Sequence, residues 1–332
     1  MRNKHFGNLL RILISLVLLA ILLKTVDVGD TVAVLRGTDP GLFLVALVLY
    51  LAGVVLRAYR WQVLLDALDT HVSLARLTDL YLVGTFFSKF LPTGVGGDVI
   101  RAYEVAQDSR QVAAAVSSVV VDRATGLLTL LAMGLVALPF IQARVPPRLT
   151  GFVAVLGLGS FAAVGLCMTP GLWRVLTDRL ALARRLAGHR LVRDLAGTIQ
   201  GYGRRALAQA LILSTLFNIL LIAVVYLLAL SLEVRINPLF FVIFVPLISV
   251  SLLVPSISGI GVREYAFIYL FTQAGVSAPR ALGMGVGFYA LDLLTGLLGG
   301  LLYATQGLLG YRPVRPGSEV QNPIVEEGTH EA

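Results

Sequence analysis

Residues 207–232 read LAQALILSTLFNILLIAVVYLLALSL, a run with no Asp, Glu, Lys or Arg. A helix needs about 20 predominantly apolar residues to cross the hydrocarbon core of a bilayer, and this run is long enough. Shorter apolar runs lie at Leu9 to Leu23, interrupted by Arg11, and at Leu42 to Leu56, Leu127 to Ile141 and Phe152 to Met168. The whole chain of 332 residues is 57% hydrophobic and 14% charged, whereas a soluble domain carries about 25% charged residues. A water-soluble fold cannot hide that much apolar side chain. Alternating segments of about 10 residues, the sign of an outer-membrane barrel, do not occur. Helices satisfy their own backbone groups where water is absent. The chain therefore reads as an all-α, polytopic helix bundle of about 6–8 spans in the inner or plasma membrane.

The formal charge of +8 and pI of 9.9 would point to nucleic acid in a soluble protein. Here the basic residues gather between spans, where they report topology and anionic lipid. Cys167 stands alone inside an apolar run, which excludes a disulfide framework and a thiolate metal site. His5, His71, His189 and His330 are too scattered to form a metal site. No cofactor is expected. The basic start followed by an apolar stretch lacks a small-residue cleavage site at Lys24 to Asp27, so it reads as a retained first helix.

The spans suggested by hydropathy are Leu9 to Val26, Leu42 to Val63, Leu77 to Leu91, Ala113 to Phe140, Leu149 to Thr169, Leu207 to Leu232, Leu239 to Val254, Tyr265 to Ala274 and Ala281 to Leu309. If Leu77 to Leu91 crossed fully, the arginines at 174, 179, 184, 185, 190, 193, 204 and 205 would lie opposite the basic N-terminus, against the positive-inside tendency. Two re-entrant hairpins, near 77–110 and 239–275, remove the conflict. They put both termini, Arg57 to Arg110 and the arginine-rich stretch in the cytoplasm. Non-helical backbone at membrane depth must be buried in protein or line a cavity, so the hairpins imply a polar cavity between them.

The chain also resembles itself. The stretch from Pro92 through Gly94, Gly96, Gly97 and Asp98 to Arg101 parallels that from Pro255 through Gly259 and Gly261 to Arg263. Asp122-Arg-Ala-Thr-Gly-Leu-Leu parallels Asp292-Leu-Leu-Thr-Gly-Leu-Leu at a similar interval. With the topology above, the copies are inverted, the recurring plan of secondary transporters. Chance alignment in a chain rich in Gly, Leu and Pro is the competing explanation. The organisation expected is a first membrane half at 1–170, a basic linker at 171–206, a second half at 207–310 and a disordered polar tail at 311–332. The linker either lies as a partly amphipathic segment on the inner leaflet or merely fixes topology.

Ionisable groups in spans cost about 2.5 to 3.5 kcal/mol on insertion scales, so they pair with one another or face a cavity. Lys89, Asp98, Arg101, Glu104, Asp122 and Arg123 belong to the first half, and Arg263, Glu264 and Asp292 to the second. Asp98 and Arg101 stand at the i, i+3 spacing of a helical pair, and Asp122 with Arg123 completes a network whose charges would cancel. One reading has the arginines grip a phosphate while carboxylates hold them or take protons. In it, Gly94, Gly96, Gly97, Gly259 and Gly261 bare backbone N–H groups at helix starts. The other has the glycines only permit tight turns and the charges only knit hairpin to bundle. Arg57, Arg60 and Trp61 close the second span, where a basic-aromatic edge ordinarily anchors a helix at the interface. No nucleophile elbow, P-loop, zincin motif or Ser-His-Asp set is present.

These residues carry a resemblance. Arg57-x-x-Arg60-Trp61-x-x-Leu64-Leu65, the stretch from Phe90 to Arg101, Asp122-Arg123-x-x-Gly126-Leu127, and Pro255-x-x-x-Gly259-x-Gly261-x-Arg263-Glu264 together resemble the lysylphosphatidylglycerol synthase transmembrane, flippase-like family. The resemblance covers most of residues 5 to 310. It implies a membrane region that in the family's best-known members is fused to a soluble domain transferring an amino acid from aminoacyl-tRNA to phosphatidylglycerol, and that flips the product outward. Only a short tail follows the last span here, so the expectation is translocation or binding of a lipid without the synthase step.

The leading expectation is a non-enzymatic lipid flippase or transporter. It would take an anionic phospholipid or polyprenyl-linked lipid into an intramembrane cavity. The candidate headgroup residues are Arg57, Arg60, Lys89, Pro92, Gly96, Gly97, Asp98, Arg101, Asp122, Arg123, Pro255, Gly259, Gly261, Arg263, Glu264 and Asp292. The alternative is a non-catalytic scaffold subunit for an envelope glycosyltransferase or lipid synthase. An intramembrane transferase is a third, more distant reading.

Overall fold

The computed structural model describes residues 36–90, 96–141, 147–168, 201–252, 259 and 261–308. Pro92, Gly94, Pro255, the first span expected at Leu9 to Val26, nearly all of the basic linker and the polar tail fall outside the described residues. The described residues form nine helices: α1 (Pro40–Asp66), α2 (Leu74–Phe90), α3 (Gly96–Ser109), α4 (Val112–Ile141), α5 (Pro147–Met168), α6 (Arg204–Ser231), α7 (Leu239–Ser251), α8 (Val262–Gln273) and α9 (Ala278–Leu308). By length and apolar composition, α1, α4, α6 and α9 can each cross a membrane. The all-helical membrane bundle expected from the sequence is what the chain forms.

Local signals set the helix starts. Asp39 caps α1 by accepting from the amides of Gly41 at 2.8 Å and Leu42 at 3.1 Å, with Pro40 in the first turn, where its missing N–H costs nothing. At α8, Gly261 has φ +83°, a conformation that suits glycine. Its amide donates to Glu264 Oε2 at 2.7 Å, so a side chain from the first turn closes that helix start.

The helices repeat. Lengths of 27, 17, 14 and 30 residues in α1 to α4 are followed by 28, 13, 12 and 31 in α6 to α9. The equivalent helices α1 and α6 lie side by side and antiparallel. The Asp39 amide donates to the Ser231 carbonyl at 2.9 Å at one end, Gly53 meets the Phe217 ring in the middle, and Arg60 donates to Ser214 Oγ at 2.9 Å toward the other. Antiparallel partners mean that the two copies are inverted, the arrangement in which broken helices meet at a seam. The copies also exchange elements: α2 of the first packs on α9 of the second, and α7 of the second packs on α4 of the first.

Each copy contains a hairpin of two short antiparallel helices. At the open end of α2 and α3, Arg76 reaches Glu104 at 2.8 Å and Asp108 at 3.2 Å. Near the tip, the Gly97 amide donates to Ser88 Oγ at 3.1 Å. At about 1.5 Å per residue, arms of 17 and 14 residues reach less than the roughly 30 Å of a hydrocarbon core. Small residues let these backbones touch. A Cβ on Gly97 would collide with the Gly84 carbonyl, and one on Gly299 with the Leu82 carbonyl across the α2–α9 contact.

The bundle is apolar outside, and its largely apolar core also encloses charged side chains. Ile212, Leu216, Leu301 and Val155 are exposed, whereas Arg60, Arg101, Asp122 and Arg263 are buried. The second hairpin packs through an aromatic cluster of Phe241, Phe244, Phe267 and Phe271. Gly97→Ala should lower stability by about 1–3 kcal/mol or more, as overpacking does. Gly151→Ala, where a Cβ meets nothing within 4 Å, should leave it unchanged or raise it. Thermal unfolding of the two purified variants checks this, and equal melting temperatures would contradict the close α2–α3 contact.

Candidate functional site

Two carboxylates organise the interior charges, one in each copy. Asp122 on α4 accepts from Arg60 Nε through Oδ1 at 2.7 Å and from the Tyr81 hydroxyl through Oδ2. Arg101 Nη1 stands 3.7 Å from the same Oδ2. Asp98 joins the network from the first turn of α3, meeting Arg101 at 2.5 Å and Arg123 at 2.7 Å. Aromatic faces cover the bases: the Arg101 guanidinium carbon lies 3.8 Å from the Tyr81 ring centroid and 4.9 Å from that of Trp61. Trp61 is held by its indole N–H, which donates to Ser118 Oγ at 2.9 Å.

Asp292 on α9 is the counterpart in the second copy. It accepts from Lys89 of α2 and, through Oδ1, from the Tyr50 hydroxyl at 3.2 Å, and Arg263 of α8 stands 3.9 Å from Oδ2. Lys89 and Arg263 both lie over the Tyr289 ring, at 5.2 and 5.1 Å. This centre joins the two copies, because Lys89 and Tyr50 come from the first and Asp292 and Arg263 from the second.

The repeated Asp-x-x-Thr-Gly motif has a physical explanation. Gly126 follows Asp122 by one helical turn on the same face, and a Cβ there would stand 2.9 Å from Arg60 Nη1. Gly296 follows Asp292 in the same way and faces the Lys89 stem. At Gly126 the missing side chain clears the place where the base lies down beside its carboxylate, whereas at Gly296 a Cβ would make ordinary contacts, 3.6 Å from Phe86 Cα and 3.7 Å from Lys89 Cγ. The intervening Thr125 and Thr295 hydroxyls donate to carbonyls one turn back on their own helices and add no ligand.

The candidate residues thus divide. Arg60, Asp98, Arg101, Asp122 and Arg123 form one network, although the Arg123 side chain is 60% exposed. Lys89, Arg263 and Asp292 form the second. Gly97 and Gly261, expected to bare their N–H groups to an anion, direct them instead to Ser88 and Glu264. Glu264 thereby serves its own helix start. Gly96 is buried in the first turn of α3, and Gly259, at φ +76°, leaves room for the Arg263 guanidinium. Arg57 lies between the rings of Tyr81 and Phe217, at 5.2 and 5.1 Å, and no carboxylate reaches it among the described residues.

Tyr50, Tyr81, Ser118, Ser214 and Tyr289 were not anticipated. A tyrosine in a span reads from sequence as an interface residue. The available signal is the helical spacing of Tyr50, Gly53, Val54, Arg57 and Trp61 on one stripe of α1.

Asp122→Ala leaves two buried guanidiniums short of their acceptor. It should cost about 3–5 kcal/mol in unfolding experiments, while the paired replacement Arg60→Met with Asp122→Leu should recover much of the loss. Additive losses in the double variant would show that the two side chains act independently.

An inverted-repeat membrane bundle with a buried charged centre in each copy is the class of protein that these contacts define. The chain belongs to the lysylphosphatidylglycerol synthase TM region family, which matches it over residues 8–300. It is also similar to a UPF0104 membrane protein of Methanothermobacter thermautotrophicus, with 32% identity over 122 residues, 36% of this chain and 36% of the relative. That match spans about a third of the archaeal protein.

Proposed function

We propose that this protein binds the anionic headgroup of a lipid among its interior charges and carries it between leaflets, without chemical change to the lipid. The observation that carries the reading is a surplus of positive charge. Arg57, Arg60, Lys89, Arg101 and Arg263 stand against Asp98, Asp122, Asp292 and Glu264, five interior bases against four carboxylates, and Arg123 adds a sixth base at the exposed edge of the first network. A charge at membrane depth is costly unless compensated, so such an interior favours an anionic ligand. Arginine suits phosphate oxygens through its forked donors.

Membership of the lysylphosphatidylglycerol synthase TM region family supports a phospholipid or polyprenyl-phosphate lipid as cargo. The inverted copies and short hairpins are consistent with alternating exposure of the seam to the two sides. In this reading the hairpins are re-entrant, the basic 171–206 stretch and both termini are cytoplasmic, and the lipid's tails stay in the bilayer while its headgroup crosses.

The test is reconstitution of the purified chain into liposomes carrying fluorescent phosphatidylglycerol, phosphatidylcholine or a polyprenyl phosphate, read by leaflet-specific quenching. Movement of an anionic lipid above protein-free vesicles, with phosphatidylcholine moving less, is the expected result. A correctly folded protein that moves none of them overturns the proposal and favours a scaffold for an envelope enzyme.

A further inference from the structure

Arg57 Nε and Arg101 Nη1 are among the buried side-chain nitrogens that have no hydrogen-bond partner among the described residues. Both guanidiniums lie against the same ring, with Arg57 Cζ 5.2 Å and Arg101 Cζ 3.8 Å from the Tyr81 centroid. The two carbons are therefore at most 9.0 Å apart, the sum of those distances. Carboxylates stand within 4.0 Å of Arg60, Lys89, Arg123 and Arg263, and Arg101 is paired too, with Asp98 at 2.5 Å and, at the longer distance of 3.7 Å from Nη1, with Asp122. Among the described residues, Arg57 meets the faces of Tyr81 and Phe217 and no carboxylate.

From this juxtaposition we infer that Arg57 and the spare N–H of Arg101 form a binding site for a phosphate-type oxyanion beside the Tyr81 ring. The inference rests on the proposed function and narrows it, since it selects two of the five interior bases as ligand contacts. Arg60 and Asp122 hold Arg101 and Tyr81 in place from behind. Cation–π contact fixes Arg57 without consuming its N–H donors, so the fork stays available to oxygens in the aromatic plane's neighbourhood. The position also fits a cargo that passes between the copies. Tyr81 and Arg57 belong to the first copy and Phe217 to the second, and Arg57 lies along α1 between Tyr50, at the Asp292 centre, and Arg60, at the Asp122 centre. The oxyanion is either the phosphate of a lipid headgroup or free phosphate, two sources that share this chemistry.

The experiment uses the full chain in uncharged detergent. Melting temperature is titrated against dihexanoyl phosphatidylglycerol, dihexanoyl phosphatidylcholine and inorganic phosphate, because a ligand that binds the folded state raises it. Wild type, Arg57→Gln, Arg57→Lys and Arg280→Gln are compared. Arg280 lies at the far end of the bundle, beside Glu233. Arg57→Gln should weaken the binding of whichever phosphate compound stabilises wild type by about tenfold or more, Arg57→Lys by less, and Arg280→Gln not at all. Stabilisation by phosphatidylglycerol alone identifies a lipid headgroup as the source, and stabilisation by inorganic phosphate as well identifies a small-anion site.

A structural role for Arg57 would make Arg57→Gln less stable without ligand. The inference expects ligand-free stability unchanged or raised, because an uncompensated charge has been removed. Undiminished binding by Arg57→Gln in a protein that still moves anionic lipid overturns this site and leaves the translocation reading standing. A wild type that binds none of the three compounds overturns this site, and the liposome assay with phosphatidylglycerol and polyprenyl phosphate decides the translocation reading separately.

Discussion

A charge that enters a lipid bilayer has to find its partner inside the protein, and Asp122 is where this bundle meets that demand most completely. It is 2% exposed and accepts from Arg60 and Tyr81 while Arg101 stands nearby. Those donors arrive from α1, α2 and α3, so one carboxylate on α4 ties the first copy together. Removing water strengthens each of these contacts and penalises any that is left unmade. The hairpin of α2 and α3 is therefore fixed by electrostatics at its inner face and by glycine contacts along its length.

The second copy solves the same problem with different residues. Asp292 occupies the equivalent place, again with glycine one turn on, yet it pairs with Lys89 from the first copy as well as with Arg263 from its own. This asymmetry gives the two centres different characters. The Asp122 network lies within the first copy except for Ser214, whereas the Asp292 contact bridges the seam and is more exposed, with side chains at 11% and 18% for Lys89 and Asp292. A cross-copy ion pair of this kind is suited to breaking and reforming if the copies rock against each other. Arg57 lies between the two centres.

Much of this was legible in the sequence. Runs such as Leu207 to Leu232 specify a membrane helix by length alone, and α6 covers Arg204–Ser231. The repeat was visible because both its Gly-rich segments and its Asp-x-x-Thr-Gly motifs occupy tight places: the glycines lie where helices touch or where a base needs room. What was not legible is which charge meets which. Lys89 and Asp292 are separated by 203 positions, and no local spacing connects them. Arg57 looked like an interface anchor because Arg57, Arg60 and Trp61 sit near the end of an apolar run. That no carboxylate reaches it among the described residues emerges only when the other bases have been matched. Glu264 looked like a cavity carboxylate, but the conformation of Gly261 turns it toward its own helix start.

The account depends on the two copies being oppositely oriented in the membrane. In the bundle, the α1–α2 and α3–α4 turns share one end, where Thr70 donates to Gln111 at 3.1 Å, and the α6–α7 and α8–α9 turns share the other, where Arg280 meets Glu233. Single cysteines at Asp69, Arg110, Glu233 and Ser277 in a Cys167→Ser background, labelled with an impermeant maleimide from either side of the membrane, test this most directly. Labelling of positions 69 and 110 from one side and of 233 and 277 from the other is the predicted pattern. Positions 69 and 110 on opposite sides, or all four on one side, would contradict it.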